Sequence, residues 1–332
     1  MGDSLKGKTA VVVGSGQGIG RAIAIGMAKE GARVVTNNRK PGSTGYAMVQ
    51  EKHKQAVGKD HSDWLEKEMD SIKGDAETTA QQIRDMGGEA VSFFGDISDF
   101  KTAGRLIETA LDNFGRIDIL ANIAGAFGIC PLEELTEELW DRVNGVKPKG
   151  YFNTIRHVVP HMIKQKSGRI INTVSRAFSG DVIKHAEYCV ANAGVYGLTK
   201  AVAIEMFEHG ITCNAISPFA KTRASYELET LSDGEEDGKK VWLSGQGMKF
   251  LDITPGPEFV APFVCFLASD TGKDISGSIF QLAGNGIGMY TEPFISHNLI
   301  KPGPEPWTVE ELKEQVPMGL LQGYRTPAKP EF

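Results

Sequence analysis

The chain predicts an α/β fold, a doubly wound parallel sheet with helices on both faces, and three observations carry that prediction. Apolar, β-branched runs alternate with helical patterns along most of the 332 residues. The runs are apolar throughout rather than at every second position, as strands buried on both faces are. The first run also passes through a cluster of glycines straight into a helix, as the opening βαβ unit of such a sheet does.

Taken in order, residues 9–14 (TAVVVG) read as the first strand and 20–31 (GRAIAIGMAKEG) as a helix that stops at a glycine. Residues 32–38 give a second strand. A helix over 76–88, a strand over 89–96, a helix over 100–115 and a strand over 118–125 continue the alternation. Residues 138–165 read as one long helix with Pro148 and Pro160 inside it. Strands are expected over 168–175 and 210–218, with the helix carrying EYCVANAG between them, and a last strand over 277–284.

Three stretches break this rhythm. Residues 40–75 are polar and lysine-rich, and read as a solvated insertion with one short helix. Residues 225–257 hold SDGEEDGKK and later PGP, which is loop chemistry suited to covering a substrate site. Residues 291–332 are proline-rich around WTVEELKEQV and read as a C-terminal tail. The expectation is a single domain with insertions over 1–290, followed by the tail.

Composition narrows the partners. The net charge is −6 and the basic residues are dispersed, which argues against nucleic acid. No apolar run approaches the roughly 20 residues of a membrane span, so no membrane partner is expected. The start, MGDSLKGKTAVVV, has no apolar leader core, and Lys6 stands where a myristoylation signal needs Ser or Thr. Four scattered cysteines without a CxxC suit reduced thiols, so a cytoplasmic location is expected.

The glycine cluster reads Gly14-Ser15-Gly16-Gln17-Gly18-Ile19-Gly20. A strand-to-helix turn without side chains lets backbone N–H groups reach a pyrophosphate, and the helix N-terminus adds partial positive charge. A nucleotide site is therefore expected at Gly14, Ser15, Gln17, Gly18, Ile19 and Gly20. The second strand ends Asn38-Arg39. An acidic residue there would bind the adenosine ribose and repel a 2′-phosphate, whereas a guanidinium binds a phosphate. NADP(H) is thus favoured over NAD(H), and the alternative is that Arg39 is a solvated loop residue. Asp96 and Ile97, after the third strand, are expected beside the adenine.

The order GSGQGIG, then NIAG at 122–125, then Ser175 and Tyr188 resembles the short-chain dehydrogenase/reductases over roughly residues 5–290. The spacing between Ser175 and Tyr188 matches that family. The resemblance implies a Rossmann-type single domain, a nicotinamide cofactor, hydride transfer at a carbonyl carbon, and homo-oligomers, either dimers or tetramers. It further implies cofactor contacts at Asn122, Ala124, Gly125, Pro218 and Thr222, and at Tyr188 and Asn192. The stretch NAISPFAKTR (214–223) and Trp307-Thr308 resemble the (3R)-hydroxyacyl-CoA dehydrogenases of the multifunctional type, which implies a CoA thioester substrate.

Ketone reduction needs a proton at oxygen and a hydride at carbon. A tyrosine hydroxyl, with a free pKa near ~10, needs a neighbouring cation to act at neutral pH. In the family that cation is a lysine four residues after the tyrosine, but here Asn192 stands there. Upstream, an ungapped alignment of WDRVNGVKPKGYF puts Lys147 where the family carries a catalytic asparagine. The two residue types have exchanged places. Lys147 is expected to deliver the charge to Tyr188, Asn192 to keep the polar contact to the ribose, and Ser175 to hydrogen-bond the carbonyl oxygen. Asn144 is the rival for the asparagine role, at the cost of a register shift.

His157 and His161 have a metal-like spacing but no ligand companions, so packing or solvation is expected. Arg176 either binds an acidic substrate or a CoA phosphate, or forms a surface ion pair. Lys184 and His185 are candidates for the substrate entrance, and the lysines of 40–75 for a CoA or cofactor phosphate. A free ketone or secondary alcohol of steroid or terpenoid type remains the alternative substrate. A cofactor-binding but inactive subunit remains the alternative from another class.

Overall fold

The structure is a computed structural model that describes residues 2–42, 49, 54–55, 57–180, 184–233, 235–236, 239–240, 254–292, 298–302 and 306–321. Contacts divide the chain into Met1–Met289 and Tyr290–Phe332. The larger unit is built on an eight-stranded sheet. Its strands are β1 (Thr9–Val13), β2 (Arg33–Asn38), β3 (Ala90–Phe94), β4 (Ile119–Asn122), β5 (Gly168–Thr173), β6 (Ile211–Phe219), β9 (Ile279–Ala283) and β10 (Gly286–Met289). Two-residue strands β7 (Glu235–Glu236) and β8 (Lys239–Lys240) pair separately. The main order is β10-β9-β6-β5-β4-β1-β2-β3. All neighbours are parallel except β9 with β10.

Order reverses between β1 and β4, so a crevice opens at their carboxyl ends, the place where ligands bind in such sheets. All five residues of β1 are buried, as its unbroken apolar sequence requires. The flanking helices are α1 (Gly18–Lys29), α2 (Lys59–Ser71), α3 (Ala76–Asp85), α4 (Phe100–Phe114), α5 (Glu137–Asn144), α6 (Gly150–Gln165), α7 (Ala186–Met206), α8 (Arg223–Asp233) and α9 (Ala261–Ala268). In the smaller unit, α10 (Val309–Met318) starts from a capping box between Thr308 and Glu311. Glu311 also holds Lys301 at 2.7 Å.

The single long helix expected over 138–165 is instead two helices joined by a π-helical turn, Gly145–Lys149. Pro148 lacks the N–H that an α-helix would need there, and the Gly150 N–H reaches back to the carbonyl of Gly145, five residues away. Pro160 does not interrupt α6. The strand expected to run to Ser175 stops at Thr173, and Ser175 caps a 3-10 turn, Arg176–Ser179.

The insertion departs most from expectation. Its helix α2 is not simply solvated, because Leu65 is buried in a cluster with Val49 and Leu231. Trp64, Met69, Phe127, Ile129, Tyr226 and Leu228 pack on the same cluster. In the stretch expected to cover the substrate, α8 is formed, whereas residues 241–253 lie outside the described residues. No helix among the described residues is long and apolar enough to cross a membrane.

Candidate active site

The turn from β1 to α1 has no room for side chains at Gly14 and Gly20. Gly14 has a φ of +78°, and a Cβ on it would lie 2.6 Å from the Ala124 backbone just after β4. A Cβ on Gly20 would lie 2.1 Å from the Gly14 carbonyl oxygen. The backbone is thus drawn into a tight loop at the start of α1, where the first N–H groups of a helix have no intrahelical partner. Ser15 has a different part: its hydroxyl donates to the Val12 carbonyl at 2.8 Å and accepts from the Asn37 N–H at 2.9 Å. Its side chain locks the turn. Ile19 packs onto the main core, and Gln17 precedes the first helical residue.

At the end of β2, the Asn38 Oδ1 is buried and has no hydrogen-bond partner. It faces the glycine turn, 1.9 Å from where a Gly16 Cβ would sit. A buried acceptor left open at this place fits a hydroxyl donor such as a ribose. Arg39 follows it, half-buried. Sequence reasoning missed Asp75, whose Cα lies 2.7 Å from the same Gly16 Cβ position. Its carboxylate accepts from the N–H groups of Thr78 at 2.9 Å and Gly42 at 3.0 Å. Although burial opposes ionisation, these hydrogen bonds hold its pKa below the usual carboxylate value. Asp96 turns back to accept from the Ser98 N–H at 2.9 Å, and Ile97 is buried beneath Gly150.

Asn122 is fully buried, and its side chain is consumed within the fold. It donates to Asn172 at 3.0 Å and accepts from Thr154 at 2.9 Å. Its contribution to the site is therefore to hold the backbone of β4, from which Ala124 and Gly125 continue. Tyr151 fixes that segment by donating to the Ala124 carbonyl at 2.8 Å. A Cβ on Gly125 would meet nothing within 4 Å, so this glycine faces open space. Pro218 lies near the end of β6, and Thr222 follows with its methyl 3.2 Å from a Gly18 Cβ position. Thr222 is thus brought to the glycine turn although it is far away in sequence.

Lys147, Tyr188, Ser175 and Asn192 converge. Tyr188 and Asn192 are one turn apart on α7, and the Asn192 amide donates to the Tyr188 main-chain carbonyl at 2.7 Å. The Asn192 Oδ1 accepts from the Lys147 Nζ at 2.7 Å. The Lys147 Nζ also lies 5.4 Å from the centroid of the Tyr188 ring. The π-helical turn directs this lysine inward, leaving it 2% exposed. Burial brings its pKa down from the usual 10.5 to about 7. Burial likewise pushes the Tyr188 hydroxyl up, partly offset by hydrogen bonds to the Ser175 and Asn192 side chains. Asn144, the rival candidate, is tied back to its own helix through the Trp140 carbonyl at 3.0 Å.

The walls include residues that the sequence did not single out. The Phe127 ring stands 5.2 Å from that of Tyr188, centroid to centroid. Glu187 is fully buried; one oxygen accepts from the Gly128 N–H at 3.1 Å and the other has no hydrogen-bond partner. Burial raises its pKa. His185 is buried near both Phe127 and Tyr188, at 6.1 Å between centroids in each case, and burial lowers its pKa. The Lys184 carbonyl accepts from the Cys130 N–H at 2.9 Å, and Arg176 is exposed on its 3-10 turn. His157 bonds the Phe100 carbonyl at 2.9 Å. Among the described residues no group of acidic, histidine or cysteine side chains could hold a metal ion.

Both ends of the crevice fit a dinucleotide. The narrow glycine turn has room for a pyrophosphate, the open Asn38 oxygen suits a ribose hydroxyl, and the four converging polar groups form a separate cluster.

Comparison with known proteins agrees with this geometry. The family model "short chain dehydrogenase" matches residues 8–64 and 65–229. The chain is 31% identical over 285 residues to a 3-oxoacyl-[acyl-carrier-protein] reductase FabG of Staphylococcus aureus, covering 85% of this chain and 98% of that one. It is 29% identical over 309 residues to the peroxisomal hydratase-dehydrogenase-epimerase of Saccharomyces cerevisiae, covering 93% of this chain and 29% of that one. A solved short chain dehydrogenase from Mycobacterium avium is similar with a TM-score of 0.73 and 30% identity, covering 96% of this chain and 95% of that one.

Proposed function

The chain belongs to the short-chain dehydrogenase family, and from that premise we propose that it interconverts a 3-oxoacyl thioester and its 3-hydroxyacyl counterpart, with Tyr188 as the proton donor. Its class is that of an NAD(P)(H)-dependent oxidoreductase acting between a ketone and a secondary alcohol. The observation that carries the proposal is the convergence of Ser175, Tyr188, Asn192 and Lys147. The FabG and hydratase-dehydrogenase relatives support a 3-oxoacyl thioester, and a CoA ester is our choice among them.

Ser175 would donate a hydrogen bond to the carbonyl oxygen and hold it toward Tyr188. The Tyr188 hydroxyl would give its proton to that oxygen as negative charge develops there. Lys147 would stabilise the resulting tyrosinate through its contact with the Asn192 amide and its position over the tyrosine ring. With a pKa near 7, the ammonium also serves as the reservoir that returns a proton to Tyr188. A nicotinamide dinucleotide, when bound, supplies or accepts the hydride. Gly14, Gly16, Gly18, Gly20 and Asn38 would hold its adenosine and pyrophosphate end, with Ala124, Gly125 and Thr222 flanking the path to Tyr188. We favour NADP(H) over NAD(H) on the charge of Arg39, against which the Asp75 carboxylate stands as a counterweight.

The test is loss of reduced-nicotinamide absorbance with acetoacetyl-CoA, supplying NADPH and then NADH. Turnover by the isolated chain is expected, and failure on every 3-oxoacyl thioester alongside turnover of free ketones would overturn the substrate. We also propose a homo-oligomer. Phe152, Ile204 and Phe207 are large apolar residues 48%, 80% and 51% exposed on α6, on α7 and just beyond it. Light scattering that gave a monomer at micromolar concentration would remove that proposal.

A further inference from the structure

The insertion after β2 lies against the candidate substrate site, although its sequence is lysine-rich. Helix α2 presents His61, Trp64, Leu65 and Met69 on one stripe, at helical spacing. That stripe meets α8: His61 Nε2 lies 3.1 Å from the Thr230 hydroxyl, and the Trp64 ring is 6.0 Å from that of Tyr226. Leu65 and Leu231 are 3% and 2% exposed at the centre of the contact. Phe127 and Ile129, from the segment after β4, complete the same cluster.

Two anchors tie this cluster to the chemistry. Phe127 touches the Tyr188 ring at 5.2 Å between centroids. Helix α8 begins directly after Thr222, which abuts the glycine turn at Gly18. The far end of the insertion, at Gly74 and Asp75, also meets the turn, at Gly16. The insertion therefore runs from the cofactor turn to the neighbourhood of the proton donor. A helix needed only to bridge β2 and α3 would have no reason to contribute an indole and a thioether to this place.

We propose that α2 and α8 together form an apolar wall beside Tyr188 that receives the hydrocarbon substituent of the carbonyl substrate, with Trp64 as its principal specificity residue. This deepens the proposed function and rests on its placement of the reacting carbonyl at Tyr188. A methylene buried on such a wall strengthens binding about fourfold, so chain length is the property the wall reads.

Affinity separates this inference from the assignment of activity. Dissociation constants for 2-butanol and 2-decanol would be measured by calorimetry on the full chain, saturated with NAD+ and NADP+ in turn. The longer alcohol is expected to bind at least tenfold more tightly. Trp64→Ala is expected to bring that ratio below threefold, whereas Trp64→Phe, which keeps an apolar ring, retains most of it. Met69→Ala is the second variant, with a smaller loss of ratio, should Trp64→Ala not fold. Equal affinities for the two alcohols in the unaltered protein, or a ratio unchanged in Trp64→Ala and Met69→Ala, would overturn the wall. Absence of ketone turnover alongside an intact binding ratio would instead count against the proposed activity.

Discussion

The Lys147 ammonium nitrogen lies 2.7 Å from Oδ1 of Asn192, and both side chains are buried. Sequence comparison with the family suggested that these two residue types had exchanged places, and the fold brings them into direct contact. A charge about 4 Å from a second group is worth roughly 4 kcal/mol at an effective dielectric of about 20. Its removal should therefore cost on the order of a hundredfold or more in kcat. Lys147→Met and Asn192→Ala are each expected to slow turnover to this extent. The double variant Lys147→Asn, Asn192→Lys restores the order usual in the family, and should recover at least tenfold over Lys147→Asn alone. A double variant no faster than that single one would show that the exchange is not functional. In the unaltered enzyme, reduction should slow as pH rises through about 7, where Lys147 loses its charge.

The same lysine should mark stability. Its pKa is depressed from 10.5 to about 7 by burial, so in the free protein the folded state binds fewer protons than the unfolded state between those values. Its contribution is complete above the unfolded value and is lost as pH falls toward the folded one. Relative to Lys147→Met, the unaltered protein should gain stability from pH 7 to pH 9, at no more than about 1.4 kcal/mol per pH unit for one proton. Urea unfolding of both proteins across that range is the check. Glu187, raised by burial, changes stability in the opposite sense, but it is present in both proteins and cancels. Parallel pH profiles would mean that Lys147 keeps its charge in the folded protein.

Much of this was legible in the sequence, for a physical reason. The β1–α1 turn and the Ser175–Tyr188 spacing involve neighbours in the chain or elements of fixed geometry, so their residues announce themselves. Side-chain bonds that cross the fold do not. Asn122 sits in a cofactor motif, but its amide is spent on Asn172 and Thr154. Asp75 reaches the glycine turn only because the insertion folds back on it. The lysines of 40–75 hid the apolar face of α2, although the spacing of His61, Leu65 and Met69 was the signal that could have revealed it. Pro148 was visible inside a helical pattern, but its consequence, a π-helical turn that buries Lys147, depends on what lies opposite on α7.

Cofactor choice should turn on Arg39 and Asp75. A guanidinium at the end of β2 attracts a 2′-phosphate, and a carboxylate beside Gly16 repels it. Arg39→Ala is expected to weaken NADPH at least tenfold while changing NADH less than threefold. Asp75→Asn should shift preference toward NADPH by about three- to tenfold, most clearly at low salt, where a half-exposed charge is least screened. Because Asp75 also caps α3 through the Thr78 N–H, asparagine is the suitable replacement, since it keeps a capping oxygen. Fluorescence titration of both reduced cofactors gives the constants. An Arg39→Ala variant that loses both cofactors equally would place Arg39 elsewhere than at the 2′ position.

The glycines of the site should separate into two kinds. A Cβ on Gly20 would lie 2.1 Å from the Gly14 carbonyl oxygen, a main-chain atom that cannot swing aside. Gly20→Ala must therefore push α1 away from the turn, at a cost of about 1–3 kcal/mol, by the usual penalty for overpacking. Its melting temperature should fall, and cofactor affinity should fall with it, because the N–H groups of the turn move. Gly125 is the contrast: a Cβ there meets nothing within 4 Å, and its φ is not in the left-handed region. Gly125→Ala should leave the melting temperature within about a degree of the original, since its methyl enters open space. If the dinucleotide passes over this backbone, that methyl occupies its path, and cofactor affinity should drop at least fivefold with the fold intact. Calorimetric melting of both variants, with and without cofactor, distinguishes them. A Gly125→Ala protein that binds cofactor unchanged would move the nicotinamide path away from the segment after β4.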